Sequence, residues 1–177
     1  KIRCVTVDDR LLLGYRGLMI DVARYFMPKH NLLKIIDAAS FLKINKIHLH
    51  LVDDNGWRLE IKKYPRLTQV GAWRVKRDEP FPNRRNQEEG EPVSVGGYYT
   101  QDDMREIIRF AALRQIELIP EIEMPAHTNS SVADYTELAC PVVDRFIGVL
   151  PGIGGQNSEI VYFSGNDSFS SVLEDVS

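Results

Sequence analysis

The feature that most restricts how this 177-residue chain can fold is the alternation of β-strand and α-helix patterns along it. Apolar and β-branched segments at 18–23, 46–52 and 116–122 predict buried strands. Segment 31–44 predicts a helix from the spacing of its apolar residues. Segment 104–114 predicts a second helix, which is preceded by Thr100 as N-cap and by the acidic Asp103 three residues later. Strands that alternate with helices form a parallel sheet covered by helices, so the sequence predicts an α/β fold.

The connections between these elements are long at 74–98 and 128–168, where Pro, Gly, Asn and charged residues predict surface loops. Long loops after the strands are where α/β barrels place their functional residues. A complete (β/α)₈ barrel takes roughly 200 residues or more, so the chain is either a small open sheet or the first part of a barrel. A helical pattern from Phe169 to Val176, which continues to the last residue, favours the second interpretation.

The overall charge excludes one broad class of function. Lys and Arg total 22 while Asp and Glu total 25, which gives a net charge of −3. A general electrostatic attraction to nucleic acid or to anionic lipid is therefore not expected. No apolar run approaches the ~18 residues of a membrane span, and two cysteines, Cys4 and Cys140, do not make a disulfide-rich framework.

Polar residues cluster at the predicted carboxyl ends of all three strands. These residues are Asp21, Arg24, His48, His50, Asp53, Asp54, Trp57, Glu121, Glu123 and His127. Because the carboxyl ends of parallel strands lie on one edge of a sheet, the side chains are expected to face one crevice. Each residue alone also has a structural explanation, such as a core histidine, a packing aromatic or a turn-forming aspartate.

Two kinds of chemistry fit this cluster. His48, His50 and His127 with a carboxylate can bind a metal ion, as in metal-dependent barrel hydrolases. Carboxylates and an arginine can instead bind sugar hydroxyls, with an Asp–His pair that supports a catalytic acid. The spacing alone does not separate the two hypotheses.

Three longer strings carry a family resemblance. They are residues 17–26 (GLMIDVARYF), 45–58 (NKIHLHLVDDNGWR) and 99–127, which runs from YTQDD to IPEIEMPAH. In this order they are similar to the opening, the second-strand motif and the second-helix and third-strand region of glycoside hydrolase family 20, the β-N-acetylhexosaminidases. The resemblance implies a (β/α)₈ TIM barrel, of which residues 1–177 form the N-terminal part with about three βα units, ending before the fourth strand.

The chemistry that the resemblance implies is removal of terminal non-reducing β-linked N-acetylglucosamine or N-acetylgalactosamine. The family retains the anomeric configuration by a substrate-assisted mechanism, an exception to the usual two-carboxylate scheme. The acetamido oxygen of the sugar forms an oxazolinium intermediate, and neither a metal nor a cofactor is implied.

The resemblance also assigns roles to individual residues. Arg24 is expected to bind ring hydroxyls of the terminal sugar, with Glu123 and His50 as further substrate-binding residues. Asp53 and His127 are expected to form a relay to a catalytic glutamate, in which Asp53 holds the imidazole. Glu123 stands where the family usually has aspartate, and Ala126 where it usually has glycine.

The resemblance places the family's catalytic Asp-Glu pair within a Gly-Gly-Asp-Glu string on the fourth strand, and the chain contains no such string. The 177 residues alone are therefore expected to be inactive and to self-associate or pair with the remaining part of the barrel. The complete protein is expected to be an extracytoplasmic enzyme, because glycan substrates usually lie outside the cytoplasm. The alternatives are a metal-dependent hydrolase that uses the three histidines, and a non-catalytic glycan-binding remnant.

Overall fold

The computed structural model describes residues 4–6, 8–78, 85–139 and 146–151. Its elements in chain order are β1 (Gly17–Asp21), α1 (Lys29–Phe41), β2 (Lys46–His50), β3 (Val52–Asp53), β4 (Gly56–Trp57), α2 (Arg66–Gln69), β5 (Trp73–Arg74), β6 (Val95–Gly96), α3 (Gln101–Ala112), β7 (Glu117–Glu121), α4 (Asn129–Val132) and a 3₁₀ turn at Thr136–Leu138. Within these ranges no helix has both the length and the apolar character to cross a membrane.

The central sheet is parallel and has the strand order β1-β2-β7. Helix α1 connects β1 to β2, and α3 precedes β7, so the predicted alternation of strands and helices is confirmed. The register places Asp21 opposite His50 and His50 opposite Glu121, which forms one row across the carboxyl ends of all three strands. This row positions the candidate site.

The apolar core lies between the sheet and helices α1 and α3. Its members include Leu32 and Ile36 of α1, Ile47 and Leu49 of β2, and Ile107 and Ala111 of α3. Helix α3 begins with the predicted capping box, in which Thr100 and Asp103 exchange side-chain and backbone hydrogen bonds. Lys29 joins the two helices, since its Nζ lies 2.7 Å from both Asp103 and Glu106.

The structure differs from the sequence prediction in several connections. The second strand ends at His50 rather than at residue 52, because the chain turns there into the β3–β4 hairpin through Asp54 and Asn55. The predicted loop 74–98 includes the paired strands β5 and β6, and the predicted loop 128–168 begins with α4. The described residues contain two βα units and a third strand, whereas about three βα units were predicted. The helix predicted from Phe169 and residue Cys140 lie outside the described residues.

Arg58 is the buried residue that ties the loops at this end of the sheet together. Its side chain is 0% exposed, and its guanidinium donates to five backbone carbonyls. These carbonyls belong to Val22, Ala23, Asn55, Ala72 and Gly97, at distances between 2.6 and 3.2 Å. Burial lowers the pKa of Arg58 to about 10, so the cation persists at neutral pH.

Replacing Arg58 by lysine is expected to lower the free energy of unfolding of the domain by about 3 kcal/mol or more. An ammonium group has three N–H donors and cannot reach all five carbonyls, so buried acceptors lose their partners. Urea denaturation of the full-length protein measures the change. The control is Arg105→Lys on the exposed face of α3, which is expected to shift stability by no more than ~0.5 kcal/mol. Equal stability of the two variants would contradict the role given to Arg58.

Candidate active site

The strand-end residues predicted to converge do so at the Asp21–His50–Glu121 row. Arg24 follows β1, Asp53 and Asp54 lie in the β3–β4 hairpin, and His127 follows β7 after a cis Met124–Pro125 peptide bond. Three neighbouring segments of the parallel sheet thus deliver charged side chains to one edge. This placement is typical of α/β active sites.

Arg24 is held by two carboxylates. Its Nη1 lies 2.8 Å from Asp21 Oδ2 and its Nη2 lies 2.8 Å from Asp53 Oδ2. The backbone N–H of Arg24 also donates to Asp21 Oδ1 at 3.0 Å, and Arg74 Nη2 donates to the Arg24 carbonyl at 2.8 Å. The Arg24 side chain remains 29% exposed. A guanidinium has five N–H donors, so the two carboxylates orient this fork and leave donors for a ligand.

His50 shares the Asp53 carboxylate with Arg24 and is 4% exposed. Its Nε2 lies 2.8 Å from Asp53 Oδ2, and its Nδ1 lies 3.0 Å from Glu121 Oε1 but outside hydrogen-bond geometry. The hydrogen bond to Asp53 raises the pKa of His50 to about 9, even though burial opposes this shift. Burial by itself would raise the pKa of Asp53, but His50 and Arg24 outweigh it and lower that pKa.

These contacts make His50 an internal cation between two carboxylates. A direct contact of His50 with sugar stays a prediction, and the burial of the ring does not favour it.

His127 lies closer to Asp54 than to Asp53. The distance from His127 Nδ1 is 3.1 Å to Asp54 Oδ2 and 3.8 Å to Asp53 Oδ1. Asp53 was predicted to hold the imidazole, whereas in the structure Asp54 makes this hydrogen bond. The hydrogen bond to Asp54 raises the pKa of His127, with further support from the charge of Asp53.

His127 also has a left-handed backbone, with φ of 55°. This conformation is uncommon and costly for a residue other than glycine, and such residues concentrate at functional sites. The side chain is 48% exposed, so the ring is available at the crevice while its Nδ1 faces the aspartates.

The contact between Asp54 and His127 was not predicted from the sequence. Before Asn55-Gly56, Asp54 has the pattern of a turn residue, and it does form that turn. Its carboxylate nevertheless accepts from the Asn129 backbone N–H at 3.2 Å as well as contacting His127. Trp57, another strand-end candidate, is 1% exposed and donates from Nε1 to the Leu59 carbonyl, which identifies it as a core residue.

The predicted metal site formed by His48, His50 and His127 together is not assembled in the parts of the chain that the structure describes. Three-histidine geometry is absent there, because His50 groups with Glu121 and Glu123 while His127 groups with Asp53 and Asp54. His48 belongs to neither group and instead pairs with Glu121. Each imidazole is already held by carboxylates.

Helix α4 directly follows His127, and a buried aspartate after α4 attaches this segment to the rest of the fold. Asp134 is 0% exposed, and its Oδ2 accepts from the Gly71 backbone N–H at 3.0 Å. Burial raises the pKa of Asp134 to about 8. Gly71 in turn accepts from the Trp57 backbone N–H at 2.9 Å. The loop after β7 is therefore attached to the β3–β4 hairpin.

Comparison with known proteins places this arrangement in a family. The sequence model of the glycosyl hydrolase family 20 catalytic domain matches residues 13–177. A β-hexosaminidase of Porphyromonas gingivalis is 39% identical over 172 residues, which cover 97% of this chain and 20% of that protein. The N,N'-diacetylchitobiase of Vibrio harveyi is 42% identical over 131 residues, covering 72% of this chain and 15% of that protein.

Solved structures agree in both sequence and fold. A β-N-acetylhexosaminidase structure superposes with a TM-score of 0.77 at 32% identity, covering 95% of this chain and 33% of the other. The Streptomyces plicatus N-acetyl-β-hexosaminidase in complex with Thio-NAglucal superposes with a TM-score of 0.71 at 36% identity, covering 92% and 29%. The chain spans between about a fifth and a quarter of the length of the first curated relatives it matches.

The first prediction from this geometry concerns the partner of His127. Replacing Asp54 by asparagine is expected to lower the pKa of His127 more than replacing Asp53 does, because Asp54 makes the direct hydrogen bond. Removing either anion destabilises the imidazolium. NMR titration of the His127 ring protons measures both shifts, with Asp78→Asn as a surface control. A larger shift for Asp53→Asn would restore Asp53 as the direct partner.

The second prediction concerns Asp134 and pH. In the folded protein its pKa of about 8 exceeds the ordinary value of 3.8, so folding takes up a proton between these values. Stability should therefore fall as the pH rises from about 4 to about 8. Asp134→Asn still accepts from Gly71 but cannot ionise, so this part of the pH dependence should vanish. Melting temperatures across this range test it, and an unchanged slope in Asp134→Asn contradicts it.

Proposed function

The chain belongs to glycosyl hydrolase family 20, and from this premise we propose that the full-length protein is a β-N-acetylhexosaminidase. It removes terminal non-reducing N-acetylglucosamine or N-acetylgalactosamine from β-linked glycans or glycoconjugates. The chain supplies the first part of a (β/α)₈ barrel, with about three of its βα units. The observation that carries the proposal is the position of Arg24. The carboxylates of Asp21 and Asp53 orient its guanidinium at the carboxyl edge of the sheet.

Arg24 is the proposed anchor for the terminal sugar. A planar fork with two N–H groups side by side suits two neighbouring hydroxyl oxygens. The carboxylates of Asp21 and Asp53 already restrict the rotamer of Arg24, so little additional side-chain entropy is lost when a sugar binds. Glu123 lies at the same edge and is the second proposed contact to the sugar.

The proposed reaction retains the anomeric configuration and uses the substrate as its own nucleophile. The acetamido carbonyl oxygen attacks the anomeric carbon while the bond to the leaving oxygen breaks, and a glutamic acid protonates that oxygen. Water then opens the oxazolinium ion at the same carbon and gives its proton back to the glutamate. Two displacements at one carbon account for retention.

The glutamic acid and its neighbouring aspartate are proposed to come from outside these 177 residues, since the family's Gly-Gly-Asp-Glu string is absent from them. His127 is the proposed link to that glutamate. Asp54 and Asp53 hold its Nδ1 side, so the exposed side of the ring can support the acid. The 177 residues alone are proposed to bind sugar weakly and catalyse nothing. The full-length enzyme is proposed to act outside the cytoplasm.

The substitution that tests this proposal is Arg24→Lys in the full-length protein. Loss of charged, forked hydrogen bonds should cost about 1.5–3 kcal/mol, which lowers kcat/KM roughly 10- to 150-fold. Hydrolysis of a chromogenic β-N-acetylglucosaminide measures the effect. Arg105→Lys serves as the surface control, because the Arg105 side chain is 59% exposed on α3.

The outcomes separate the candidate functions. An active wild type whose kcat/KM does not change in Arg24→Lys would remove Arg24 from the sugar site. A full-length protein that binds N-acetylglucosamine without hydrolysing the substrate would instead be a non-catalytic glycan-binding remnant.

A further inference from the structure

The two ring nitrogens of the buried His50 differ in their surroundings. Nε2 is hydrogen-bonded to Asp53 Oδ2 at 2.8 Å. Nδ1 is also buried, but it has no hydrogen-bond partner among the residues that the structure describes. Leaving a buried polar atom without a partner costs about 1–3 kcal/mol, so such an atom in a native structure requires an explanation.

Two carboxylates lie next to this nitrogen. Glu121 Oε1 is 3.0 Å from His50 Nδ1, although the angle does not make a hydrogen bond. Glu123 completes a group of three donor atoms that all lie within 4.8 Å of one another. The side chains of both glutamates are only partly buried, so solvent and small ions can reach the group.

The spacing of the three donors fits one small metal ion. Nitrogen and oxygen ligands lie about 2.0–2.2 Å from zinc, so two ligands of the same ion are roughly 3–3.5 Å apart. The 3.0 Å between His50 Nδ1 and Glu121 Oε1 meets this requirement. Glu123 has a flexible side chain that is partly exposed, so a small rotation brings its carboxylate into the same shell.

Neighbouring residues already hold two of the donors in place. The hydrogen bond between His50 Nε2 and Asp53 directs Nδ1 towards the glutamates, which is the carboxylate–histidine–metal arrangement of many metal sites. Asp53 is fixed in turn by Arg24 Nη2 at 2.8 Å. His48 Nε2 lies 2.5 Å from the other oxygen of Glu121, which orients that carboxylate.

The donor types select the class of ion. One imidazole with two carboxylates suits Zn²⁺ and similar divalent transition ions, whereas Ca²⁺ and Mg²⁺ take oxygen ligands. The raised pKa of His50 means that its ring is protonated in the metal-free protein. Binding of the ion therefore displaces one proton from Nδ1.

We propose that His50, Glu121 and Glu123 form a binding site for Zn²⁺ or a similar divalent transition ion, and that this ion competes with the terminal sugar. The site itself goes beyond the proposed function. The competition rests on that function, because Glu123 is the second proposed contact to the sugar. A carboxylate bound to the ion is not available to a sugar hydroxyl. The ion takes no part in the proposed reaction and acts as a reversible inhibitor.

Isothermal titration calorimetry of the full-length protein, treated with EDTA and dialysed, measures Zn²⁺ binding directly. The Zn²⁺ affinity should fall at least about 100-fold in Glu121→Gln and in Glu123→Gln. Each substitution removes a ligand, and loss of an outer hydrogen-bond partner alone costs roughly 10- to 100-fold. An equal concentration of Ca²⁺ should not weaken Zn²⁺ binding to the wild type.

Glu117→Gln is the matched control for the calorimetry. Glu117 begins β7 at the opposite end of the strand and pairs with Lys46, so its substitution should leave Zn²⁺ binding unchanged. A wild type that does not bind Zn²⁺ would overturn the proposal. Wild-type Zn²⁺ affinity in either Glu121→Gln or Glu123→Gln would also overturn it, since the site needs both carboxylates.

Inhibition kinetics test the competition with the sugar. Zn²⁺ should raise KM for a chromogenic β-N-acetylglucosaminide in the wild type with little effect on kcat, and EDTA should reverse the effect. In Glu123→Gln, KM should no longer depend on Zn²⁺. Inhibition that lowers kcat and leaves KM unchanged would contradict a shared contact at Glu123.

The two proposals fail in different experiments. A full-length protein that binds Zn²⁺ through both glutamates but does not hydrolyse the substrate would contradict the proposed function and support the metal site. An active enzyme whose Zn²⁺ affinity is the same in the wild type, Glu121→Gln and Glu123→Gln would contradict the metal site alone.

Discussion

The site depends on the hydrogen bonds that the buried guanidinium of Arg58 donates to backbone carbonyls. Backbone carbonyls from the end of β1, the β3–β4 hairpin and the β5–β6 region all point at one planar cation. Those carbonyls belong to irregular chain, where neither helix nor sheet supplies their partners. By providing the donors, Arg58 lets three loops pack closely at the carboxyl end of the sheet. Arg24 and Asp53 lie on two of these loops, so their contact depends on that packing.

The site itself is organised by alternation of charge. Asp21, Asp53, Asp54 and Glu121 each lie beside an arginine or a histidine, which limits the cost of placing several acids in a partly buried crevice. Arg24 and His50 flank Asp53, and His127 lies against Asp54. His50 is 4% exposed within this alternation. Its charge stabilises the carboxylates that orient other residues.

Much of this arrangement was predictable because regular structure follows from local pattern. The parallel strands, the helices α1 and α3 and the capping box at Thr100 are confirmed. The convergence of strand-end residues followed from the geometry of parallel sheets alone. The paired strands β3–β4 and β5–β6 and helix α4 were not predicted. Each of these strands has two residues and α4 has four, which is too short to show a periodic pattern in the sequence. The assignment of Trp57 to the core needed its surroundings as well.

The sequence by itself determined the α/β class, the sheet edge that carries the charged residues and, through three long strings, the family. These depend on periodicity and residue identity, which are local properties of the chain. Only the tertiary structure decided which carboxylate meets which cation. Asp53 and Asp54 are adjacent in sequence, yet one faces His50 and Arg24 while the other faces His127. That division is set by the turn of the β3–β4 hairpin and by the α4 segment packed against it. The hairpin and α4 are far apart in the sequence, so no local pattern predicts their contact.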